Sequence, residues 1–127
     1  MSTAKARGAL PPDVPLAAAA FNAGRAALAV VALTARPDLL LSALEDRIHQ
    51  DVRLALVPEA RDLLRRLRSV GVPACVSGAG PSILAFETDG VEVPDPGPGW
   101  RAVRVRPASR GVQIGPDPAG RSSPGRM

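Results

Sequence analysis

The segment between residues 16 and 34 constrains this chain most, because it is apolar on every side of a helix except at Asn22 and Arg25. Pro11 and Pro15 precede it, and prolines there end any earlier element and allow a new helix to begin. The pattern predicts a helix from Leu16 to Thr34, and an all-round apolar helix is typically central in its fold. A charged residue at the centre of a membrane span costs about 3 kcal/mol. The sequence therefore favours a buried helix of a soluble protein over a membrane helix.

Arg25 needs a partner, because an unpaired charge in such a helix would cost several kcal/mol. Asn22 lies three residues earlier and shares its face. One alternative is an internal ion pair with Glu45 or Asp46. The other is a pocket arginine that binds a substrate carboxylate or phosphate through its two-pronged guanidinium. The residues themselves leave both alternatives open.

The remaining periodicities predict further helices and short strands. Leu40, Leu44 and Ile48 define the buried stripe of a helix from about Leu40 to Gln50. Its last turn would carry His49 as a surface histidine favoured by the helix dipole. The other expected elements are a helix from Pro58 to Val70 ended by Gly71, strands at Val72–Val76 and Ile83–Phe86, an edge strand at Trp100–Arg106, and one further strand before Pro11.

These elements predict an α+β sandwich, with helices packed on one face of an antiparallel sheet in a ferredoxin-like arrangement. The expected domain is residues 1–109, which leaves 110–127 as a disordered Pro/Gly/Arg tail. The net charge of +4 comes from residues 95–127, since residues 1–94 carry ten basic and ten acidic side chains. With two Phe and one Trp as the only aromatic residues, the composition argues against nucleic-acid binding.

Composition also restricts the chemistry. A single Cys75 excludes an internal disulfide, and one Cys with one His cannot supply a zinc site, so no metal site is predicted. The same two residues lie in unrelated segments, so no catalytic residue is assigned, and Cys75 is expected to pack in the core. Residues 1–7 contain no apolar signal-peptide core. Cytoplasmic localisation without a membrane partner is expected.

The loop between the two predicted strands is the sharpest local feature. Its sequence is Ser77-Gly78-Ala79-Gly80-Pro81-Ser82. The two glycines permit positive φ angles and close backbone approach, and successive amides in such a turn form an anion-binding concavity. The pattern matches neither a Walker loop nor a dinucleotide fingerprint, because a proline and a strand follow. A phosphate-binding loop and a simple tight turn without a ligand are the two interpretations.

Taken together, four blocks in this order resemble the C-terminal half of homoserine kinases of the GHMP kinase superfamily. The blocks are residues 6–16 (ARGALP and VPL), 21–28 (FNAGRAAL), 45–50 (EDRIHQ, followed by Arg53 and Pro58) and 77–82 (SGAGPS). The resemblance covers about residues 2–106. It implies a GHMP kinase C-terminal domain, in which Arg25 and Arg53 bind the carboxylate of L-homoserine and Asn22 is a third substrate-binding residue. It also implies that Ser77, Gly78, Ala79, Gly80 and Ser82 support the nucleotide phosphates.

The family reaction transfers the γ-phosphoryl group of Mg-ATP to the hydroxyl of L-homoserine, for threonine biosynthesis, and the full-length family protein allows a homodimer. The family's N-terminal ATP-binding domain, with its Pro-x-x-x-Gly-Leu-Gly-Ser-Ser-Ala type of phosphate loop, does not occur in these 127 residues. A truncated gene product, a wrongly chosen start and a lone C-terminal domain all account for this. The expected function is a homoserine kinase C-terminal fragment that is inactive alone. The alternative is a free-standing ferredoxin-like small-molecule binding or regulatory module without catalysis.

Overall fold

A computed structural model describes residues 2–108 and residue 111 of the chain. Its helices are α1 (Thr3–Gly8), α2 (Leu16–Thr34), α3 (Leu40–Ala43), α4 (Gln50–Ala55) and α5 (Pro58–Ser69), with a 3₁₀ turn at Pro37–Leu39. Its strands are β1 (Ala74–Val76) and β2 (Ile83–Ala85), which pair antiparallel. Helices together with a small antiparallel sheet confirm the predicted α+β class.

The main core lies where α5 packs on the sheet. Pro58 and Glu59 begin α5 in the positions that proline and acidic residues favour, and the helix ends one residue before the predicted Val70. Its leucines face β1 and β2, and the buried cluster consists of Leu54, Ala60, Leu63, Leu64, Leu67, Val72, Ala74 and Val76. Helix α5 is therefore the element on which the two strands are built.

Helix α2 has the predicted bounds, but the prediction that it is central is wrong for the part of the chain described. Only Ala32 of this helix is buried. The 3₁₀ turn and α3 pack against one side of α2, where Leu40 and Ala43 join Ala32 in a small second cluster. A helix that is apolar on all sides is buried only where other elements surround it. Within residues 2–108, other elements cover only one side of α2. By length and composition alone α2 is also long and apolar enough to cross a membrane.

The predicted continuous helix from Leu40 to Gln50 is wrong. Helix α3 ends at Ala43, and α4 begins only at Gln50. Between them the Asp46 carboxylate accepts hydrogen bonds from the backbone amides of three residues that follow it. An aspartate that binds its own backbone in this way competes with a continuous helix. His49 consequently lies at the start of α4, not at the end of a helix, so the dipole explanation for it is also wrong.

The two strands expected at the ends of the domain do not form in the described part of the chain. The segment before Pro11 is helix α1, and the Ser2 hydroxyl caps it by accepting from the Lys5 amide at 3.2 Å. Residues 100–106 are irregular, and Val103 and Val105 are largely exposed because no strand lies beside them there. Residues 109, 110 and 112–127, where the disordered tail and its boundary were predicted, lie outside the described residues.

Candidate functional site

One cavity is lined by residues from α2, from the turn between α3 and α4, from the start of α4 and from β1. Its volume is about 220 Å³. The polar residues on its wall are Asn22, Arg25, Glu45, Asp46, His49 and Gln50. Two of them, Asn22 and Arg25, are the pair singled out from the apolar helix, and they lie one turn apart on the side of α2 that faces this turn. The cavity is therefore the candidate functional site.

Arg25 makes the ion pair that one of the two sequence alternatives required. Its Nη2 lies 3.1 Å from Glu45 Oε2, and its Cζ lies 4.5 Å from the centre of the Phe21 ring. A guanidinium carries five N–H donors, and this contact uses one nitrogen. Arg25 can therefore hold Glu45 and an anion in the cavity together, so the ion pair and the pocket role are compatible.

Asp46 organises the turn that forms the cavity wall. Its Oδ1 accepts from the amides of Ile48, His49 and Gln50 at 2.9, 2.6 and 2.8 Å. Its Oδ2 accepts from Asn22 Nδ2 at 2.6 Å, and Asn22 Oδ1 accepts from the Arg47 amide at 3.0 Å. The turn is thereby tied to the middle of α2 through two side chains. The sequence suggested Asp46 only as a counter-ion for Arg25, although aspartate side chains often accept hydrogen bonds from the backbone amides that follow them.

Two opposing effects act on the pKa of the Asp46 carboxyl. Burial raises it, whereas the hydrogen bonds from the three backbone amides and from Asn22 lower it and outweigh the burial. The carboxylate is therefore held ionised to a lower pH than in the unfolded chain, where the pKa is about 3.9. Because the folded pKa is the lower of the two, this group stabilises the fold above about pH 4, and the contribution disappears as the pH falls through the folded pKa.

We expect the free energy of unfolding to fall as the pH is lowered below about 4, with Asp46 as one contributor. Urea unfolding at a series of pH values measures this dependence. Asp46→Asn should flatten it, because an amide oxygen still accepts hydrogen bonds but does not titrate there. Asp13→Asn serves as the matched control, since Asp13 lies exposed in the segment before α2. An equal pH dependence in wild type and Asp46→Asn would contradict the expectation.

Arg53 connects the cavity to the glycine loop. From α4, its Nη1 donates to the Gly78 carbonyl at 2.5 Å and lies 3.4 Å from His49 Nδ1. His49 Nε2 lies 3.2 Å from Asp46 Oδ2. Because arginine only donates, this arrangement fits the His49 tautomer that carries its proton on Nε2. Arg53 does not itself line the cavity, but it contacts a residue that does.

The glycine loop is a tight turn closed by its own backbone. The Ser77 amide donates to the Ser82 carbonyl at 2.8 Å, and the Gly80 amide donates to the Ser77 carbonyl at 3.2 Å. Gly78 and Gly80 have φ angles of 60° and 80°, a region in which side chains are strained. Ala79 completes the turn at its tip. These five predicted residues lie beside the cavity and not on its wall.

Two further residues on the cavity wall, Gln50 and Cys75, were not predicted to belong to the site. Gln50 is 5% exposed, and its Oε1 accepts from the Val76 amide at 2.9 Å, which ties the start of α4 to β1. No sequence pattern marks this glutamine, because the contact spans a long separation in the chain. Cys75 is only half-buried and lines the cavity, so the expectation that it packs in the core is only partly met. Burial raises the pKa of its thiol.

Comparison with known proteins places these features in context. Residues 18–92 match the family model for the C-terminal domain of GHMP kinases. The chain is 50% identical to homoserine kinase of Streptomyces avermitilis over 117 residues, which are 90% of this chain and 38% of that protein. It is 56% identical to homoserine kinase of Rhodococcus erythropolis over 88 residues, covering 69% of this chain and 28% of that one.

A solved structure is also similar. The crystal structure of homoserine kinase from Cytophaga hutchinsonii superposes with a TM-score of 0.62 at 29% identity, covering 67% of this chain and 28% of the other. The chain thus spans between 28% and 38% of the length of these relatives.

Proposed function

Because the chain belongs to the GHMP kinase family as its C-terminal domain, we propose that it is the substrate-binding part of a homoserine kinase. In this proposal Arg25 binds the carboxylate of L-homoserine in the cavity, and Asn22 holds the cavity wall in place. Arg53 does not line the cavity, but from α4 it adds positive charge beside it through its contact with His49. The observation that carries the proposal is that Arg25, a charged residue in an apolar helix, lies on the wall of a cavity formed with the EDRIHQ segment.

The proposed reaction is phosphoryl transfer. The substrate hydroxyl oxygen forms a bond to the γ-phosphorus of ATP, the bond from that phosphorus to the bridging oxygen breaks, and the hydroxyl proton is released. The protein contributes positioning and electrostatic stabilisation to such a reaction. Binding the carboxylate at Arg25 fixes one end of the substrate and so directs its hydroxyl. No residue of this chain is assigned as the catalytic base.

The glycine loop is the part of this chain that fits the nucleotide. Its positive-φ glycines leave the backbone open to close approach, with no atom near the position that a Cβ of Gly78 would take. The Arg53 guanidinium against the Gly78 carbonyl adds positive charge beside the loop. We assign support of the ATP phosphates to this loop. Mg²⁺ would supply charge neutralisation on those phosphates, and it would be held by them and by upstream residues.

The remaining assignments follow from the same proposal. The chain would act in amino-acid biosynthesis, in the production of threonine, and in the cytoplasm. Its partners would be L-homoserine and the other copy of a homodimer, with neither nucleic acid nor membrane. A second candidate is a free-standing small-molecule binding or regulatory module. It would use the same cavity, with Arg25 and Asn22 on its wall, to bind a small anion without phosphoryl transfer.

Titration of L-homoserine into the 127-residue chain, followed by amide chemical shifts, tests the assignment. Arg25→Lys should weaken binding by about 5- to 150-fold, which corresponds to the roughly 1 to 3 kcal/mol of a charge-assisted hydrogen bond. Lysine keeps the charge but loses the planar fork. Arg36→Lys is the matched control, because Arg36 pairs with Asp38 on the exposed surface. Its affinity should equal that of the wild type.

The amide of L-homoserine, which lacks the carboxylate, separates the pocket role from a structural one. It should bind weakly to the wild type and to Arg25→Lys alike. If Arg25→Lys lowers thermal stability but leaves the affinity for L-homoserine unchanged, Arg25 serves only as the partner of Glu45. In that case the proposed substrate site is refuted.

A further inference from the structure

Gln50 is the one polar residue that the described part of the chain buries almost completely. Its Oε1 accepts from the Val76 amide at 2.9 Å, and its own backbone amide donates to Asp46 Oδ1 at 2.8 Å. Burying an amide side chain is costly unless hydrogen bonds replace those that it made to water. The Val76 contact supplies such a bond, and burial strengthens it because the surrounding dielectric is low. Gln50 therefore joins the start of α4 firmly to β1.

This contact lies at the point where β1 passes into the glycine loop. Val76 is the last residue of β1, and the loop begins at Ser77. Within the described residues β1 has only β2 as a strand neighbour, so the Gln50 side chain binds an amide that no other strand pairs. The bond from the Ser77 amide to the Ser82 carbonyl closes the turn but does not fix its position relative to the cavity. That position depends on what holds the end of β1.

Helix α4 holds the loop at a second point. Arg53 Nη1 donates to the Gly78 carbonyl at 2.5 Å. Gln50 and Arg53 lie three residues apart on α4 and so share one face. The Arg53 contact is exposed, where water competes for both partners, whereas the Gln50 contact is buried. Because Gln50 also lines the cavity, this one residue connects the cavity wall to the loop.

We propose that Gln50 is a positioning residue for phosphoryl transfer, which holds the glycine loop in place beside the substrate cavity. The inference rests on the proposed function, in which the cavity takes L-homoserine and the loop supports the ATP phosphates. A displacement of about 1 Å between reacting groups can cost about 100-fold in rate, so the separation of the two sites matters. Gln50 acts through Val76 and the loop, and not on the reacting atoms.

The first test measures the two ligands separately on the 127-residue chain. Sodium tripolyphosphate, the probe for the nucleotide phosphates, and L-homoserine are titrated in turn, and the amide resonances of Gly78 and Gly80 report on the loop. Gln50→Asn keeps the amide group but is one methylene shorter, so it should lose the Val76 contact. We expect it to weaken tripolyphosphate binding by about fivefold or more, the effect of one hydrogen bond. Its affinity for L-homoserine should change by less than about twofold, because the residue 50 backbone amide still binds Asp46.

Two control variants separate the position of the loop from the stability of the fold. Arg25→Lys should show the opposite pattern, with weaker binding of L-homoserine and unchanged binding of tripolyphosphate. Leu54→Ala removes a side chain of α4 that lies in the main core and does not line the cavity, so it should lower Tm and leave both affinities unchanged. If Gln50→Asn does not fold, Gln50→Leu takes its place, because leucine fills much of the same space without a polar group.

The possible results separate this inference from the proposed function. Equal affinity for tripolyphosphate in the wild type and Gln50→Asn would overturn the inference alone. A loss that Leu54→Ala reproduces would also overturn it, because general destabilisation would then account for the effect. If the wild type binds no tripolyphosphate, the assignment of the loop fails and the inference fails with it. If tripolyphosphate binding depends on Gln50 but L-homoserine does not bind, the substrate assignment fails and the positioning of the loop stands.

Amide hydrogen exchange tests the contact itself without any ligand. The Val76 amide should exchange slowly in the wild type and in Gln50→Glu, which keeps the length of the side chain and an acceptor oxygen. In Gln50→Asn it should exchange about fivefold faster or more. The Val72 amide, which donates to the Leu67 carbonyl at 3.0 Å, is the internal control and should exchange at the same rate in all three proteins. Equal exchange of the Val76 amide in all three would refute the contact on which the inference depends.

Discussion

Joined to the upstream part of a homoserine kinase, this chain is expected to phosphorylate L-homoserine, whereas the 127 residues alone should release no ADP in response to it. Phosphoryl transfer depends almost entirely on holding ATP, Mg²⁺ and the hydroxyl in line. The chain offers a cavity and a glycine loop that is proposed to support the phosphates, but its sequence contains no phosphate loop of the Gly-Leu-Gly-Ser-Ser type. A coupled assay for ADP, with and without L-homoserine, measures the difference. Turnover in the joined protein should be on the order of 1 to 100 per second.

Arg25→Lys in the joined protein gives this prediction a residue-level control. It should lower kcat/KM for L-homoserine by about 5- to 150-fold, and Arg36→Lys should leave it unchanged. ADP release by the pure 127-residue chain that depends on L-homoserine would contradict the prediction. An inactive joined protein that is folded would contradict the proposed function itself.

Asp46→Ala is expected to cause the largest loss of stability among single substitutions at the site. The carboxylate, with 11% of its side chain exposed, accepts from three amides and from Asn22. Removing a side chain that accepts from backbone amides costs about 0.5–2 kcal/mol at helix caps, the nearest comparison for Asp46, and leaving buried donors unsatisfied costs a further 1–3 kcal/mol. The two ranges together give about 1.5–5 kcal/mol, and a loss of about 2 kcal/mol, near the lower limit, already corresponds to a fall in Tm of roughly 8 °C for a domain of this size. Thermal unfolding followed by circular dichroism measures it.

Asp38→Ala controls for the loss of a carboxylate as such. Asp38 forms an exposed pair with Arg36, and exposed pairs contribute about 0–1 kcal/mol, so its Tm should change little. Similar shifts in Tm for the two variants would show that the Asp46 network does not stabilise the turn. A fall confined to Asp46→Ala would also predict that Asn22 loses its fixed orientation, which nitrogen-15 relaxation of its side-chain amide can detect.

Local patterns predicted the regular elements whose signals lie close together in the chain. The Leu16–Thr34 helix and the Pro58 start of α5 follow from proline position and apolar periodicity, and the structure has them at or within one residue of the predicted bounds. The two central strands were predicted one or two residues too long at the ends. Four blocks of sequence indicated a resemblance to the C-terminal half of homoserine kinases. The match to the family model and the similar homoserine kinases support it.

Contacts between distant segments were not predictable in the same way. The break before α4 arises because Asp46 binds both its own backbone and Asn22, and the second partner is 24 residues away. The candidate strand at residues 100–106 has an alternating pattern, but a strand needs a neighbour to pair with, and the described chain supplies none there.

The sequence by itself determined the helices and strands with strong local signals, the need of Arg25 for a partner, and the glycines of the 77–82 loop, because each depends on the chemistry of neighbouring residues. The tertiary structure decided that Glu45 pairs with Arg25, that Asp46 and not a continuous helix shapes the cavity, and that Arg53 reaches Gly78. It also decided that α2 is apolar yet exposed. Burial and pairing depend on which segments meet in space. Periodicity along the chain carries no information about how close two distant segments lie.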